Sequence, residues 1–216
     1  MSDNNEKKQK VFCIGFNKTG TTTLYFTFLN HGYNAFHGPW HNHGKGEYVY
    51  DFYSDGEPPY DYKMLDKKYK NSLFILNTRG LYNWIFSRLK HIEIKNTQCS
   101  LVKRCNWYDH SDKTNIFIDW IIKRNNWYKE VLDYFKGKDN FLFLDIESDN
   151  IEDELSKFIG FNIKISIKNT RPIELFEKKK KLEIINKYKL DIYKAFEKLN
   201  IKKEDYNSIG IIDYIE

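Results

Sequence analysis

Apolar and polar positions along the chain follow two patterns: short continuous apolar runs, and longer segments in which apolar residues recur every three or four positions. Continuous runs of four to eight apolar residues are typical of strands that are buried on both faces. The three clearest span 11–15, 73–78 and 141–146, and a turn with one more short strand is predicted over 32–36.

The helical period predicts helices between these strands. The first spans about 21–30, where Leu24 and Phe28 lie four residues apart. Others are predicted over 61–70, from the end of the strand 73–78 to about 91, and over 115–135. A long C-terminal helix is predicted over 173–200. The stretch 37–60, rich in Gly, His and Pro, is predicted to be a loop, and 94–114 shows no clear period. Strands that alternate with helices indicate an α/β fold with a parallel sheet flanked by helices.

Length and composition indicate one globular domain. With 216 residues, of which 17% are aromatic, the chain can bury a sizeable core, and we predict a single domain over 11–216 after a disordered tail over 1–10. The tail is polar, and no apolar stretch approaches the roughly 18 residues of a membrane span. Three cysteines without C-x-x-C spacing, Cys13, Cys99 and Cys105, fit reduced thiols. We therefore expect a cytoplasmic protein with no membrane association.

Charge adds little to this picture. The net charge of +5 is mild for the length, and the run Lys178 to Lys181 falls in a helical pattern that is typical of a solvated face. A nucleic-acid-binding protein would need a basic stripe confined to one face. No nucleic-acid partner is therefore predicted.

The segment after the first predicted strand concentrates glycine, lysine and threonine. Gly15 and Gly20 flank a short loop that contains Lys18, and a predicted helix begins at Thr21. Such a loop directs backbone N–H groups and the positive end of a helix dipole at one point, which makes it an anion site. The lysine and threonine side chains in the same loop indicate a phosphate group of a larger ligand.

The order of residues in this loop differs from that of ordinary ATPases. A Walker loop reads G-x-x-x-x-G-K-[ST], in which lysine follows the second glycine and the adjacent hydroxyl binds Mg²⁺. Here Lys18 precedes Gly20, and Thr21 follows it. The pattern indicates a phosphate site of another kind.

The run Gly15-Phe16-Asn17-Lys18-Thr19-Gly20-Thr21-Thr22 resembles the 5′-phosphosulfate loop of the sulfotransferases, especially small soluble ones with a Lys-Thr-Gly-Thr-Thr loop. Their sulfuryl donor is 3′-phosphoadenosine-5′-phosphosulfate (PAPS). The resemblance implies a P-loop-like sheet, and it implies that Lys18 neutralises charge on the leaving oxygen while the loop holds the 5′-phosphate. The loop residues assigned to the donor are Gly15, Asn17, Lys18, Thr19, Gly20, Thr21, Thr22 and Thr23.

Later segments extend the resemblance over about 11–171. Arg79 directly follows the predicted strand 73–78, and Ser87 lies eight residues further on, in the next predicted helix. In the sulfotransferases an arginine and a serine in these positions hold the 3′-phosphate of the donor. The strand 141–146, a helix over 151–160 and a short loop also resemble family elements, and this loop adds Asn169 and Arg171 to the donor-binding residues.

Transfer to a hydroxyl requires a base, because the acceptor must lose its proton near neutral pH. The predicted loop 37–60 offers Asp55, Glu57 and His37. Asp55 is the first choice, since it precedes Gly56 and the prolines, and related small sulfotransferase-like proteins carry an aspartate close before a proline in this stretch.

Other residues of this loop suggest alternatives. His37, His41 and His43 do not form a compact ligand pattern and no cysteine is near, so no metal site is predicted. Aromatic side chains in the same stretch could line an acceptor pocket or belong to the core. These are Trp40, Tyr48, Tyr50, Phe52 and Tyr53.

The sequence therefore predicts a PAPS-dependent sulfotransferase, with PAP as product and a small molecule, glycan or lipid as acceptor through a hydroxyl or amine. Two alternatives stay open. A P-loop-type nucleotide or small-molecule kinase would need lysine after the second glycine and a set of Mg²⁺ ligands. A non-catalytic module that binds PAP or PAPS would keep Lys18, Arg79 and Ser87 but lack a working base.

Overall fold

In the computed structural model of the protein, the described residues are 8–40, 48–95, 98, 100–166 and 175–212. They form two compact units. As far as its residues are described, the first unit is built from Met1–Thr78 and Tyr134–Asn169, and the second from Arg79–Asp133 and Thr170–Glu216. The first unit contains the sheet, and the second is helical.

The sheet of the first unit has five strands, all parallel, in the order β2-β3-β1-β4-β5. The α/β architecture with a parallel sheet is therefore confirmed. Because the strands are parallel, the residues that follow them gather at one edge, where ligands bind in sheets of this kind. The strands are β1 Val11–Cys13, β2 Ala35–His37, β3 Phe52–Ser54, β4 Leu73–Thr78 and β5 Phe141–Asp145.

Three helices flank the sheet within the first unit: α1 Thr21–Asn30, α2 Tyr62–Lys68 and α6 Ile151–Ile159. The predicted bounds of α1 are confirmed. Asp61 caps α2, because its side chain accepts a hydrogen bond from the Met64 N–H at 3.2 Å. The helix α6 ends at Gly160, whose φ of 89° is in the left-handed region that favours glycine.

The core of the first unit lies on both faces of the sheet. On one face Val11 and Cys13 pack with Leu24 and Phe28 of α1. Cys13 is only 1% exposed, and burial raises the pKa of its thiol well above the ordinary value.

On the other face, aromatic side chains surround Phe12, whose ring stacks on those of Tyr53 and Phe74 with centroids 5.3 and 5.5 Å apart. Trp40 and Tyr48 contact the same ring. Of the aromatic residues that could have lined an acceptor pocket, Trp40, Tyr48, Phe52 and Tyr53 are core residues. Tyr50 is half-buried at its border.

The second unit contains α3 Leu81–Lys95, α4 Ser100–Arg104, most of α5 Thr114–Phe135 and α7 Leu175–Lys198. Its core includes two buried arginines. The Arg88 guanidinium lies 4.8 Å from the ring centroid of Trp84 and 4.3 Å from that of Trp120, so aromatic faces compensate for part of its lost hydration.

The second buried arginine, Arg124, anchors the C-terminal segment. Its guanidinium donates to the carbonyl oxygens of Ile209 and Gly210 at 2.8 and 2.9 Å, and more distantly to that of Ser208 at 3.3 Å. The neighbouring Asn125 exchanges two hydrogen bonds with the backbone of Ile212. Segment 208–212 is therefore fixed to α5 by side chains.

The structure differs from the sequence predictions in two stretches. The predicted loop 37–60 contains β3, and 94–114 contains α4 and a short 3-10 turn at Trp107–Asp109. The loop prediction for 37–60 was wrong at β3, and no element had been predicted in 94–114, because three to five residues are too few to reveal a period. Of the predicted tail, residues 1–7 lie outside the described part, whereas Lys8 and Lys10 donate to the carbonyl oxygens of His31 and Tyr50 at 2.8 and 2.6 Å.

None of the helices in the described part is long and apolar enough to cross a membrane.

Candidate functional site

The loop between β1 and α1 has the backbone shape of an anion site. Lys18 and Gly20 both adopt left-handed conformations, with φ of 68° and 79°. Gly20 occupies the N-cap position, its carbonyl accepts from the Leu24 N–H at 3.0 Å, and no side chain of the described residues caps α1. The N–H groups of the first turn of α1 therefore have no partner inside the helix, and they begin where the lysine-containing loop ends.

One buried side chain, that of Asn77 in β4, holds both ends of this loop. Its Oδ1 accepts from the Gly15 N–H at 3.2 Å, and its Nδ2 donates to the carbonyl oxygen and to Oγ1 of Thr19 at 3.1 and 2.6 Å. Thr19 Oγ1 in turn donates to the Phe16 carbonyl. The approach is so close that a Cβ on Gly15 would lie 2.1 Å from the Asn77 carbonyl oxygen. Only glycine fits there.

The segment that follows β3 contacts the same loop. Tyr60 O–H donates to the Gly15 carbonyl at 3.1 Å, and Asn17 Nδ2 lies 3.4 Å from Glu57 Oε2, a long hydrogen bond. Glu57, one of the three candidate bases, therefore lies beside the loop.

Two of the candidate bases lie beside the first turn of α1. Asp55 directly follows β3, and its Oδ1 accepts from Thr21 Oγ1 at 3.2 Å. His37 ends β2, and its Nε2 lies 3.2 Å from Thr22 Oγ1 and 4.0 Å from Asp55 Oδ2. The hydroxyls predicted to hold a phosphate are therefore within hydrogen-bond distance of the groups predicted to take a proton.

The surroundings of His37 favour its neutral form. Its ring stacks on Tyr25 with centroids 5.3 Å apart. Burial lowers the pKa of His37 below its ordinary 6.5, the Asp55 carboxylate opposes this effect, and the Lys18 ammonium adds to it. A neutral imidazole at neutral pH is the form that can accept a proton.

Ser54, at the end of β3, completes this cluster. Its side chain is fully buried, and its Oγ lies 3.1 Å from His37 Nδ1 and donates to the Thr21 carbonyl at 3.2 Å. Neither Ser54 nor Asn77 was predicted as a site residue. The signal for Asn77 was an amide inside a continuous apolar run, whereas Ser54 fell in a stretch predicted as a loop.

The first unit therefore brings together most of the predicted site. These residues are Gly15, Asn17, Lys18, Thr19, Gly20, Thr21, Thr22 and Thr23, together with His37, Asp55 and Glu57.

The remaining predicted residues belong elsewhere. Arg79 and Ser87 are half-buried residues of the second unit; Arg79 directly follows β4 in the chain, and Ser87 is in α3. Asn169 and Arg171 lie outside the described residues, as do His41 and His43. Among the residues that the structure describes, no group of three or more His, Cys, Asp or Glu could hold a metal ion.

No family model matches the chain, and no curated protein sequence matches it.

Proposed function

We propose that the protein is a PAPS-dependent sulfotransferase that transfers the sulfuryl group to a hydroxyl or amine acceptor. The observation that carries the proposal is the contact between a phosphate-type loop and an acid–base pair. Thr22 Oγ1 is 3.2 Å from His37 Nε2, and Thr21 Oγ1 is 3.2 Å from Asp55 Oδ1. A donor phosphate at the start of α1 would place its reacting group beside groups that can take a proton.

In this proposal the loop binds the 5′-phosphosulfate end of the donor. Backbone N–H groups at the start of α1 and the hydroxyls of Thr21 and Thr22 hold the phosphate. Lys18 neutralises the charge that develops on the bridging oxygen as its bond to sulfur breaks. The resemblance assigns the 3′-phosphate to Arg79 and Ser87, which would select PAPS over nucleotides without that group.

The transfer balances as an in-line displacement. The acceptor oxygen or nitrogen attacks sulfur, the bond between sulfur and the bridging oxygen breaks, and PAP leaves with the electron pair on its 5′-phosphate. The acceptor proton passes to the base. Positioning of the two oxygens and stabilisation of the leaving phosphate are the main tasks of the protein, as in phosphoryl transfer.

Among the three candidate bases, the geometry favours His37. It is kept neutral by burial, and Asp55 Oδ2 at 4.0 Å can stabilise the imidazolium that forms. Asp55 accepts from Thr21 and Glu57 from Asn17, and the position of Asp55 beside the His37 ring suits it to a supporting role. We assign His37 as base and Asp55 as the group that stabilises its charged form.

One contact favours a second candidate function. A threonine hydroxyl beside an aspartate that follows the neighbouring strand is the pair that holds Mg²⁺ in P-loop nucleotide-hydrolysing enzymes, and Thr21 with Asp55 forms such a pair. A nucleotide or small-molecule kinase is therefore the alternative. Against this alternative, the chain has no lysine directly after Gly20, where such enzymes carry one.

Calorimetric titration with PAP, AMP, ATP and Mg·ATP decides between the two functions. We expect PAP to bind at least tenfold more tightly than AMP or ATP, with no effect of Mg²⁺ or a chelator, because two separated phosphates are recognised. Preference for Mg·ATP, or equal affinity for all nucleotides, would reject the sulfotransferase and favour the kinase.

A pair of variants tests the 3′-phosphate assignment in the same assay. Arg79→Ala should weaken PAP binding by roughly 1.5–3 kcal/mol, the size of a lost hydrogen bond to a charged group. Arg104→Ala, which removes an exposed guanidinium in α4, is the matched control and should bind PAP like the wild type. Tight PAP binding without consumption of PAPS in the presence of sugar, lipid, phenol and amine acceptors would favour the non-catalytic module.

A further inference from the structure

The hydrogen bonds of Ser54 determine which nitrogen of His37 carries the proton. The Ser54 hydroxyl has one hydrogen, and it is donated to the Thr21 carbonyl at 3.2 Å. Towards His37 Nδ1, 3.1 Å away, the same oxygen can therefore only accept. In the neutral imidazole the proton is thus on Nδ1, and Nε2 carries the lone pair.

The lone pair on Nε2 is covered by the hydroxyl of Thr22. Thr22 Oγ1 lies 3.2 Å away and can only donate to an unprotonated nitrogen. Thr22 is the second residue of α1, so its hydroxyl lies beside the N–H groups that attract an anion. A phosphate oxygen is a stronger acceptor than a neutral imidazole, because the hydrogen bond is then charge-assisted.

We propose that Ser54 fixes the basic nitrogen of His37 as Nε2. In this proposal the Thr22 hydroxyl donates a hydrogen bond to this nitrogen until a phosphate group binds at the loop, and it then donates to the phosphate instead. The proposal deepens the proposed function, on which its second half rests. It makes His37 available only after the donor has bound. Ser54 is then a positioning residue, and Thr22 couples donor binding to the base.

The groups that face His37 make the coupling measurable. Asp55 Oδ2 lies 4.0 Å from Nε2, the Lys18 ammonium acts on the ring electrostatically, and Tyr25 stacks on it without a charge. The Thr22 hydroxyl stabilises the neutral form, so its loss should raise the pKa of His37. A bound phosphate adds negative charge and shifts the pKa in the same direction.

The first experiment reads the tautomer of His37 by NMR in the full chain labelled with ¹⁵N-histidine. His31 provides an internal reference, because its Nδ1–H donates to the Thr27 carbonyl at 2.7 Å and its Nε2 accepts from the Lys164 N–H at 3.2 Å. We expect His37 to give the same Nδ1–H pattern in the wild type and in Ser54→Thr. In Ser54→Ala the proton should move to Nε2, where Asp55 and Thr22 can accept it.

The wild type alone can overturn the role of Ser54: an Nε2–H pattern for His37 would do so even if Ser54→Ala did not fold. A folded Ser54→Ala with an unchanged tautomer would overturn it as well. Neither result depends on what the protein binds.

The second experiment follows the pKa of His37 by the same signals with and without PAP. PAP should raise the pKa in the wild type. In Thr22→Val the pKa should already be higher without ligand and should rise less with PAP, whereas Thr27→Val, the same change further along α1 and outside the predicted donor site, should behave like the wild type. An equal rise in wild type and Thr22→Val would overturn the uncovering step. If PAP does not bind at all, both the donor assignment and this step fail, while the tautomer still decides the role of Ser54.

Discussion

Two residues of the candidate site carry side chains where glycine would be easier to accommodate. Lys18 and Asp55 both have a φ of 68°. For a residue with a Cβ, the left-handed conformation costs about 1–2 kcal/mol. Lys18 lies in the loop between β1 and α1, and Asp55 contacts the hydroxyl of Thr21. Strain of this kind within a cluster of polar groups is typical of side chains that are retained for their chemistry.

Replacement of Lys18 should therefore separate stability from activity. Lys18→Gly relieves the backbone, and we expect the free energy of unfolding to rise or stay constant, while turnover of PAPS falls by roughly 10²–10³-fold, as for the loss of one group that stabilises a developing charge. PAP affinity should fall much less than turnover, because the charge partner of Lys18 develops in the transition state.

Asn71 provides the matched control for this variant. It has the same φ of 68° in the turn before β4, and Asn71→Gly should relieve the backbone without changing turnover. If turnover by Lys18→Gly were close to that of the wild type, the assignment of Lys18 to the leaving oxygen would be wrong. Chemical denaturation and a PAP-release assay give the two readouts.

Single residues of the loop could be predicted from the sequence, whereas their partners could not. Gly15, Lys18 and Gly20 lie within six residues, so their local order is enough to predict a phosphate-type loop. Asn77 and Ser54 act on that loop from other strands. Their roles depend on strand neighbours and register, which a single sequence does not show.

At the scale of elements, the loop between β1 and α1 depends on β4 as much as on β1. Asn77 connects the loop to β4 through three hydrogen bonds to Gly15 and Thr19, and parallel pairing of β1 with β4 sets Cys13 opposite Ile75. These hydrogen bonds hold the loop in one shape. Preorganisation of this kind reduces the conformational entropy that binding costs.

Asn77→Leu tests this support. The buried Gly15 N–H and Thr19 carbonyl would lose their partner, so we expect the free energy of unfolding to fall by roughly 1–3 kcal/mol. PAP affinity should fall at least tenfold, because the loop must then be ordered by the ligand. The measurement combines urea unfolding with calorimetry.

Asn125→Leu supplies the comparison, because it removes a buried amide that exchanges two hydrogen bonds with Ile212. It should lower stability similarly and leave PAP affinity unchanged. Equal PAP affinity in Asn77→Leu and wild type would show that Asn77 supports the fold without shaping the site.

The strands were predicted unevenly, for a physical reason. β4 is six residues long and continuously apolar apart from Asn77 and Thr78, and its predicted bounds are confirmed. β3 has three residues, Phe52–Ser54, and was assigned to a loop. It forms because Phe52 and Tyr53 are buried between neighbouring strands, so its stability comes from tertiary packing rather than from a local pattern.

At the scale of the whole molecule, the alternation of strands and helices was enough to predict the parallel sheet. The division into two compact units was not visible in the sequence, because the second unit is assembled from segments far apart in the chain. Its anchor, Arg124, lies in the middle of α5, yet binds carbonyl oxygens of 208–210. Contacts across 84–86 residues of sequence leave no periodic signal.

Cys13 gives the first unit a built-in reporter. This residue of β1 is only 1% exposed, and burial keeps the pKa of its thiol high, so an alkylating reagent can modify it only when the sheet opens. In a background that replaces Cys99 and Cys105 by serine, the alkylation rate therefore measures the opening equilibrium. A ligand held by the loop should slow alkylation by the factor 1 + [L]/Kd, provided that opening destroys the site. Mass spectrometry would thus yield the affinity for PAP from a protection curve, without an acceptor and without turnover; a rate independent of PAP at saturation would place the ligand away from β1.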